Sequence, residues 1–299
     1  MITRRVLLSA AALTGLAGLA GLTGCTSGDE GTAPEASSAG SGETSAGPVD
    51  VRYGDDDSQV AELHWPAGDG KVPVAVVIHG GLWMSGYGME LATPLAKDLA
   101  TVGIAGYAIE YRRMGNGGGW PATFEDVAAA IDALQDHSRA DLDKVVAVGH
   151  SSGGHLAVWA ASRPGLPVGA PGASPRVVLA GAVSQAGVLD LVNAYDVQLG
   201  GDAIASFVGA TPEEDPARYE LASPYERLPL KVPVALVHGT RDGQVPLDQS
   251  RRYRAAAAKA GDEVKLTELP DVGHFELIDP HDQAWLTCRA ETKRLLGLT

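Results

Sequence analysis

Short apolar runs at residues 72–78, 105–111, 145–148 and 232–238 set the framework of the chain. They are rich in Val, Ala, Ile and Leu and show little apolar–polar alternation, the pattern of strands buried on both faces. Residues 177–183 and 263–269 read as two further strands, and residues 51–66 alternate loosely enough for one or two edge strands. Between these runs the period changes. Residues 89–101 are helical in pattern. Pro121 suits the start of a helix, after which Phe124, Val127, Ile131 and Leu134 recur at helical spacing with Glu125, Asp126 and Asp132 between them. Residues 155–161 read as a buried helix ended by Pro164, residues 247–260 as a helix capped by Gly261, and residues 281–296 as a closing helix. Strands alternating with helices predict an α/β fold, with a mostly parallel central sheet covered by helices on both faces. Residues 188–230 are less regular, broken by Asp215-Pro216 and Ser223-Pro224.

The first residues lie outside this pattern. Arg4 and Arg5 precede an uncharged Ala/Gly/Leu-rich stretch that ends in Leu22-Thr23-Gly24-Cys25. Residues 1–25 therefore read as an export signal and not as part of the fold. The final tetrad resembles a bacterial lipobox, which implies lipidation of Cys25 and a membrane anchor outside the cytoplasm. Thr3-Arg4-Arg5-Val6-Leu7-Leu8 also resembles a twin-arginine signal, which implies export in a folded state. Residues 26–49 are Gly, Ser, Ala, Thr and Glu with almost nothing large, and read as a disordered tether. A folded domain is expected over residues 50–299. Cys288 is the second of two cysteines, so with Cys25 lipidated no intrachain disulfide is expected and Cys288 reads as a small buried hydrophobe.

Charge narrows the partners. The chain carries a formal net charge of −14, and removing Arg4 and Arg5 leaves 21 basic against 37 acidic residues, a net of −16. Such a surface argues against nucleic acid and against electrostatic docking on anionic lipid. The glycine-rich loop at 115–119 lacks the Lys-Ser/Thr continuation of a phosphate cradle.

The chemistry gathers at strand ends, where open parallel sheets bind their ligands. The run at 145–148 stops at Gly149-His150-Ser151-Ser152-Gly153 and passes into a helix, the strand–turn–helix context of a nucleophile elbow. The outer glycines are needed because so sharp a turn presses neighbouring backbones together. A serine hydroxyl needs a base in reach, and the base needs a carboxylate to orient it. His274 follows the last strand and a glycine, and Asp242 follows the strand at 232–238. Asp248, Asp271 and Asp279 are the alternative acids, with Asp271 the strongest of them. Among the other histidines, His64, His137 and His281 read as surface residues, His155 as a packing residue, and His150 as turned away from Ser151. Two backbone N–H groups must face the developing oxyanion. Ser152 supplies one, and Gly81 or Leu82, in the His79-Gly80-Gly81-Leu82-Trp83 run, supplies the other. Trp83, Tyr195 and Phe207 are candidate pocket walls.

The order Ser, Asp, His on this pattern of elements is the α/β-hydrolase order. The chain resembles α/β-hydrolase-fold serine hydrolases of the esterase/lipase kind over about residues 50–297. The resemblance rests on His79 to Trp83, Tyr111-Arg112, Trp120-Pro121 with Asp126, Gly149 to Leu156, Gly239 to Asp242 with Val245-Pro246, and His274-Phe275. The H-G-G-x-W and G-H-S-x-G-G-H-L forms are similar to the kynurenine formamidase and feruloyl-esterase-like branch. Leu82 stands where the hormone-sensitive-lipase type has a further glycine. The pattern from Ser223-Pro224 to Val245-Pro246 also occurs in prolyl-oligopeptidase-type domains, whose large gating domain has no room here. The resemblance implies a small cap at 188–230. It also implies hydrolysis of a small ester or amide through an acyl-enzyme on Ser151, without cofactor or metal. The alternatives are an amide hydrolase, acting on an aryl formamide or short peptide, and an inactive envelope binding protein.

Overall fold

In the computed structural model, which describes residues 47–299, the apolar runs pair into one eight-stranded sheet. The strands are β1 (Val49–Arg52), β2 (Val60–His64), β3 (Val72–Ile78), β4 (Ala105–Ile109), β5 (Ala140–His150), β6 (Gly181–Gln185), β7 (Val234–Gly239) and β8 (Val264–Leu269). Their order is β1-β2-β4-β3-β5-β6-β7-β8. β2 runs antiparallel to both of its neighbours, and every pairing from β4 to β8 is parallel. This is the predicted α/β architecture.

Two cores explain why the central strands lack alternation. Val74, Val76, Ile78, Ala147 and Leu236 face one side of the sheet, while Ala75, Val77, Val146, Val148 and Val237 face the other. Each strand therefore reads as continuously apolar because both of its faces are buried. Helices α1 (Thr93–Thr101) and α8 (Gln283–Leu295) cover the second side, with Leu95, Leu99, Trp285 and Cys288 in its core. Helices α2 (Ala122–Asp132), α3 (Ser152–Ala161) and α7 (Asp248–Ala260) cover the first, with Phe124, Leu156, Trp159 and Tyr253 in its core. Cys288 is buried and free, and burial pushes its thiol up to about 12.

Three local expectations need correction. The strand expected at 177–183 forms at Gly181–Gln185. Asp132 Oδ1 accepts the N–H groups of Arg176 and Val177, which holds this stretch outside the ladder, and Val178 stays exposed. The helix expected at 155–161 begins at Ser152, directly behind the nucleophile candidate. His64, expected at the surface, is buried beside Glu62, because β2 lies between β1 and β4 and is not an edge strand. At the N-terminal boundary, β1 already begins at Val49, the last residue of the expected tether. Cys25 and the rest of the signal segment lie outside the described residues. No described helix is long and apolar enough to cross a membrane.

The region at 188–230 forms three short helices, α4 (Leu191–Asp196), α5 (Ala203–Val208) and α6 (Pro216–Ala222). Gln249 of α7 accepts the N–H groups of Leu189 and Asp190 and donates to Asn193. Arg252 pairs with Asp190 at 2.9 Å, and Phe207 O accepts from Trp120 N–H. These bonds fasten the segment to the body of the domain.

Candidate active site

The elbow is built by close packing of bare backbone. Ser151 sits at φ 56°, ψ −121°, between β5 and α3. A Cβ on Gly149 would lie 2.0 Å from Gly153 O, and one on Gly153 would lie 2.2 Å from Ile78 O. Both distances are impossible for a side chain, so the two glycines are steric requirements of the turn. A non-glycine residue at such a φ stores strain on the order of 1–3 kcal/mol, the kind of cost that persists at functional sites. The turn is held by Ser151 N–H donating to Gln185 O at the end of β6.

The loop after β3 lies against this elbow. Gly80 packs so closely that a Cβ would meet His150 O at 2.9 Å and Ser151 Cβ at 3.1 Å. Gly81, Leu82 and Trp83 all have positive φ, at 113°, 54° and 55°. Trp83 N–H donates to Ser152 Oγ, tying the loop to the first residue of α3. The N–H groups of Gly81 and Leu82 donate to nothing among the described residues. They remain available next to the N-terminus of α3, where backbone N–H groups favour negative charge. The loop's base is fixed by His79, whose Nε2 lies 2.9 Å from Glu110 Oε1 and whose ring stacks on Tyr111 at 4.4 Å. Burial alone would raise the Glu110 carboxyl. The bonds from His79, Tyr111 N–H and Met89 N–H outweigh it and hold it below its usual range.

The acid and the base meet across two neighbouring strand ends. His274 Nδ1 donates to Asp242 Oδ2 at 2.6 Å, and the Asp242 side chain is completely buried. Gln244 and Val245 N–H groups donate to Asp242 Oδ1 at 2.8 Å each. Burial would raise this carboxyl, but bonds from His238, His274 and Val245 N–H hold it far below the usual carboxylate range. The β7 and β8 loops are clamped together. Thr240 N–H donates to Leu269 O, Arg241 N–H to Val272 O, and a Cβ on Gly239 would lie 2.2 Å from Val272 O. Asp271, the rival acid, instead forms an exposed ion pair with Arg241 at 2.7 Å.

Two further histidines stand beside this pair. From the sequence, His150 reads only as turned away from Ser151, and His238 only as the end of a buried strand. Its ring lies 4.3 Å from the His274 ring, and its Nε2–H donates to His274 O at 2.9 Å. Burial, then the neighbouring His274, push His150 down to about 3, so it stays neutral. His238, at the end of β7, lies behind Asp242. Their common signal is position: both stand at the carboxyl ends of buried strands, next to the nucleophile after β5 and the acid after β7. Ser151 and His274 remain slightly open to solvent, at 9% and 6%. No hydrogen bond joins them among the described residues, a bond that often tightens only when substrate arrives.

The pocket expectations fare differently. Trp83 and Phe207 are fully buried and stack on each other at 4.3 Å, so they belong to the core under the site and present no open wall. They surround His155, which accepts from Trp83 Nε1 and donates to Ala222 O. Tyr195 on α4 is half-buried. The apolar groups open to solvent around the site are instead Met84, Tyr87 and Phe275, at 47%, 51% and 62%. Tyr87 packs over Gly81, and Phe275 meets the His274 ring edge-on at 5.2 Å. A cavity of about 680 Å³ lined by Tyr53, Asp132, His137 and Arg163 touches none of these residues. Among the described residues no cluster of His, Cys, Asp and Glu is arranged to hold a metal ion.

The chain is similar to known proteins in sequence and in fold. The BD-FAE family model matches residues 62–256. Esterase LipQ of Mycobacterium tuberculosis is 31% identical over 216 residues, covering 69% of this chain and 51% of LipQ. Esterase LipC of the same organism is 29% identical over 247 residues, covering 77% of this chain and 60% of LipC. The chain thus spans between half and three fifths of these relatives. A truncated carbohydrate esterase from gut microbiota superposes with a TM-score of 0.74 at 21% identity, covering 86% of this chain and 98% of that one. Family match, strand order and superposition agree: the chain belongs to the BD-FAE family and has the α/β-hydrolase fold.

Proposed function

We propose that this protein is a serine carboxylic-ester hydrolase. The observation that carries the reading is the His274–Asp242 pair, at 2.6 Å, delivered to the elbow that presents Ser151. The names of the relatives LipQ and LipC support the same chemistry. Ser151 Oγ attacks the ester carbonyl carbon while His274 Nε2 takes the hydroxyl proton. Asp242 stabilises the imidazolium that forms. The oxyanion falls to the N–H of Ser152 and that of Leu82 or Gly81. Collapse of the tetrahedral species gives an acyl-enzyme on Ser151 and the alcohol, protonated by His274. Water, activated by the same histidine, then releases the acid.

Labelling by a fluorophosphonate tests the nucleophile. The protein should label, and Ser151→Ala should lose both labelling and turnover of p-nitrophenyl acetate. Labelling that survives the substitution would exclude Ser151. Turnover of an aryl formamide and an aminoacyl anilide alongside the ester measures the amide alternative. Neither labelling nor turnover of any of the three would favour the alternative of an inactive binding protein. We further propose that Cys25 carries a lipid that tethers the enzyme outside the cytoplasm. Cys25→Ala should then move the protein from the membrane fraction to the soluble one, and unchanged membrane association would refute the tether.

A further inference from the structure

His238 is buried completely at the end of β7, four residues before Asp242. Each of its ring nitrogens has a defined partner. Nε2 lies 3.0 Å from Val245 O, an acceptor only, so Nε2 carries the proton. Nδ1 is then the acceptor, and the Ser250 hydroxyl of α7 donates to it at 2.8 Å. The same Nε2 lies 3.3 Å from Asp242 Oδ2, the oxygen that holds His274. Val245 closes a second route. Its carbonyl accepts the hydrogen bond of His238 Nε2–H, and its N–H donates to Asp242 Oδ1. One imidazole therefore bears on both oxygens of the carboxylate, by its own approach to one and by anchoring Val245, whose N–H holds the other.

We propose that His238 is a positioning residue for the triad, a second histidine that orients the Asp242 carboxylate and shares its negative charge with His274. The inference rests on the reading of Ser151, His274 and Asp242 as a triad. Its consequence is directional. A carboxylate with a donor behind it presents less charge to the base, so removing the donor strengthens the Asp242–His274 attraction. The protonated base is then favoured, and the acid limb of the rate profile moves to higher pH. The looser carboxylate also holds the imidazole less well, which lowers kcat. The other ionisable groups facing this cluster are His150, against the His274 ring, and Glu268 at the end of β8, which pairs with Arg251. The Arg241–Asp271 pair lies in solvent, where its influence is screened.

The test compares His238→Asn, which cannot place a donor at the Nε2 position, with His238→Gln, whose side-chain amide can. Fluorophosphonate titration counts working sites, so rates are expressed per labelled Ser151 and misfolded protein does not enter. His238→Asn should lower kcat about tenfold and move the acid limb of kcat/KM up by about half a pH unit. KM should change little, and His238→Gln should restore most of both losses. An asparagine variant with wild-type kcat and acid limb per labelled site would overturn the proposal. If that variant does not fold, ¹⁵N-histidine spectra of the wild-type protein decide the matter. The His238 Nε2–H resonance should shift when Ser151 is phosphonylated, and an unmoved resonance would overturn the proposal. Turnover that persists in Ser151→Ala would instead refute the triad reading itself, whatever His238 does.

Discussion

His150 donates its Nε2–H to the backbone carbonyl of His274 and lies with its ring 4.3 Å from the His274 ring. The residue just before the nucleophile thus holds the base from behind. Because burial keeps His150 neutral, it does so without adding a charge beside the imidazolium that forms during turnover. His150→Leu should lower kcat/KM by about tenfold, the scale of one buried hydrogen bond and its packing, while fluorophosphonate still labels Ser151. Wild-type kinetics in this variant would show that the contact is incidental.

Asp242 is the only acidic group hydrogen-bonded to or ion-paired with the His274 ring among the described residues. Asp242→Asn replaces an acceptor with an amide that favours the wrong imidazole tautomer. A loss of about 10⁴-fold in kcat is expected from this mechanism. Asp271→Asn breaks only an exposed ion pair and should change kcat less than twofold, within the usual modest worth of exposed pairs. Comparable losses in the two variants would undo the assignment of the acid.

The elbow glycines make a prediction about folding and not about chemistry. An added methyl at Gly149 or Gly153 meets backbone atoms that cannot swing away. Gly149→Ala and Gly153→Ala should each cost at least about 3 kcal/mol, at the upper end of overpacking penalties. Gly243, beside Asp242, has open space around it and an ordinary φ. Gly243→Ala should leave the urea midpoint within the noise. Equal stability across the three variants would contradict the close packing of the turn.

Stability should fall with acid well before carboxylates titrate. Burial lowers His150 to about 3 and His155 to about 4, against 6.5 for a free histidine. Below pH 6.5 the unfolded chain binds protons that the folded chain refuses, so stability is lost as pH falls from 6.5 toward 4. Each residue contributes on the order of 3 kcal/mol of that loss by pH 4. Urea unfolding between pH 7 and pH 4 measures it, and His155→Gln should remove about half of the slope. A flat profile over this window would mean that both rings accept protons in the folded state.

Much of this protein was legible before folding. Strands buried on both faces announce themselves as unbroken apolar runs. The pentapeptide at 149–153 works because only glycine fits where backbone meets backbone. Ser151, Asp242 and His274 can be grouped from the sequence because the parallel strands β5, β7 and β8 deliver their carboxyl ends to one edge of the sheet. The position of β6 was not legible, because Asp132, 44 residues before Arg176, competes for the backbone that would have begun the strand. Nor was it legible that Trp83 and Phe207 pack inward while Tyr87 and Phe275 stay open, since an aromatic side chain carries no mark of which neighbour will cover it. The supporting histidines belong to the same class. His150 and His274 are 124 residues apart, and His238 and Ser250 face each other only because α7 returns across the end of β7. Local pattern specifies elements and their order. Which ring nitrogen meets which oxygen depends on tenths of an ångström, set only when distant loops are packed against one another.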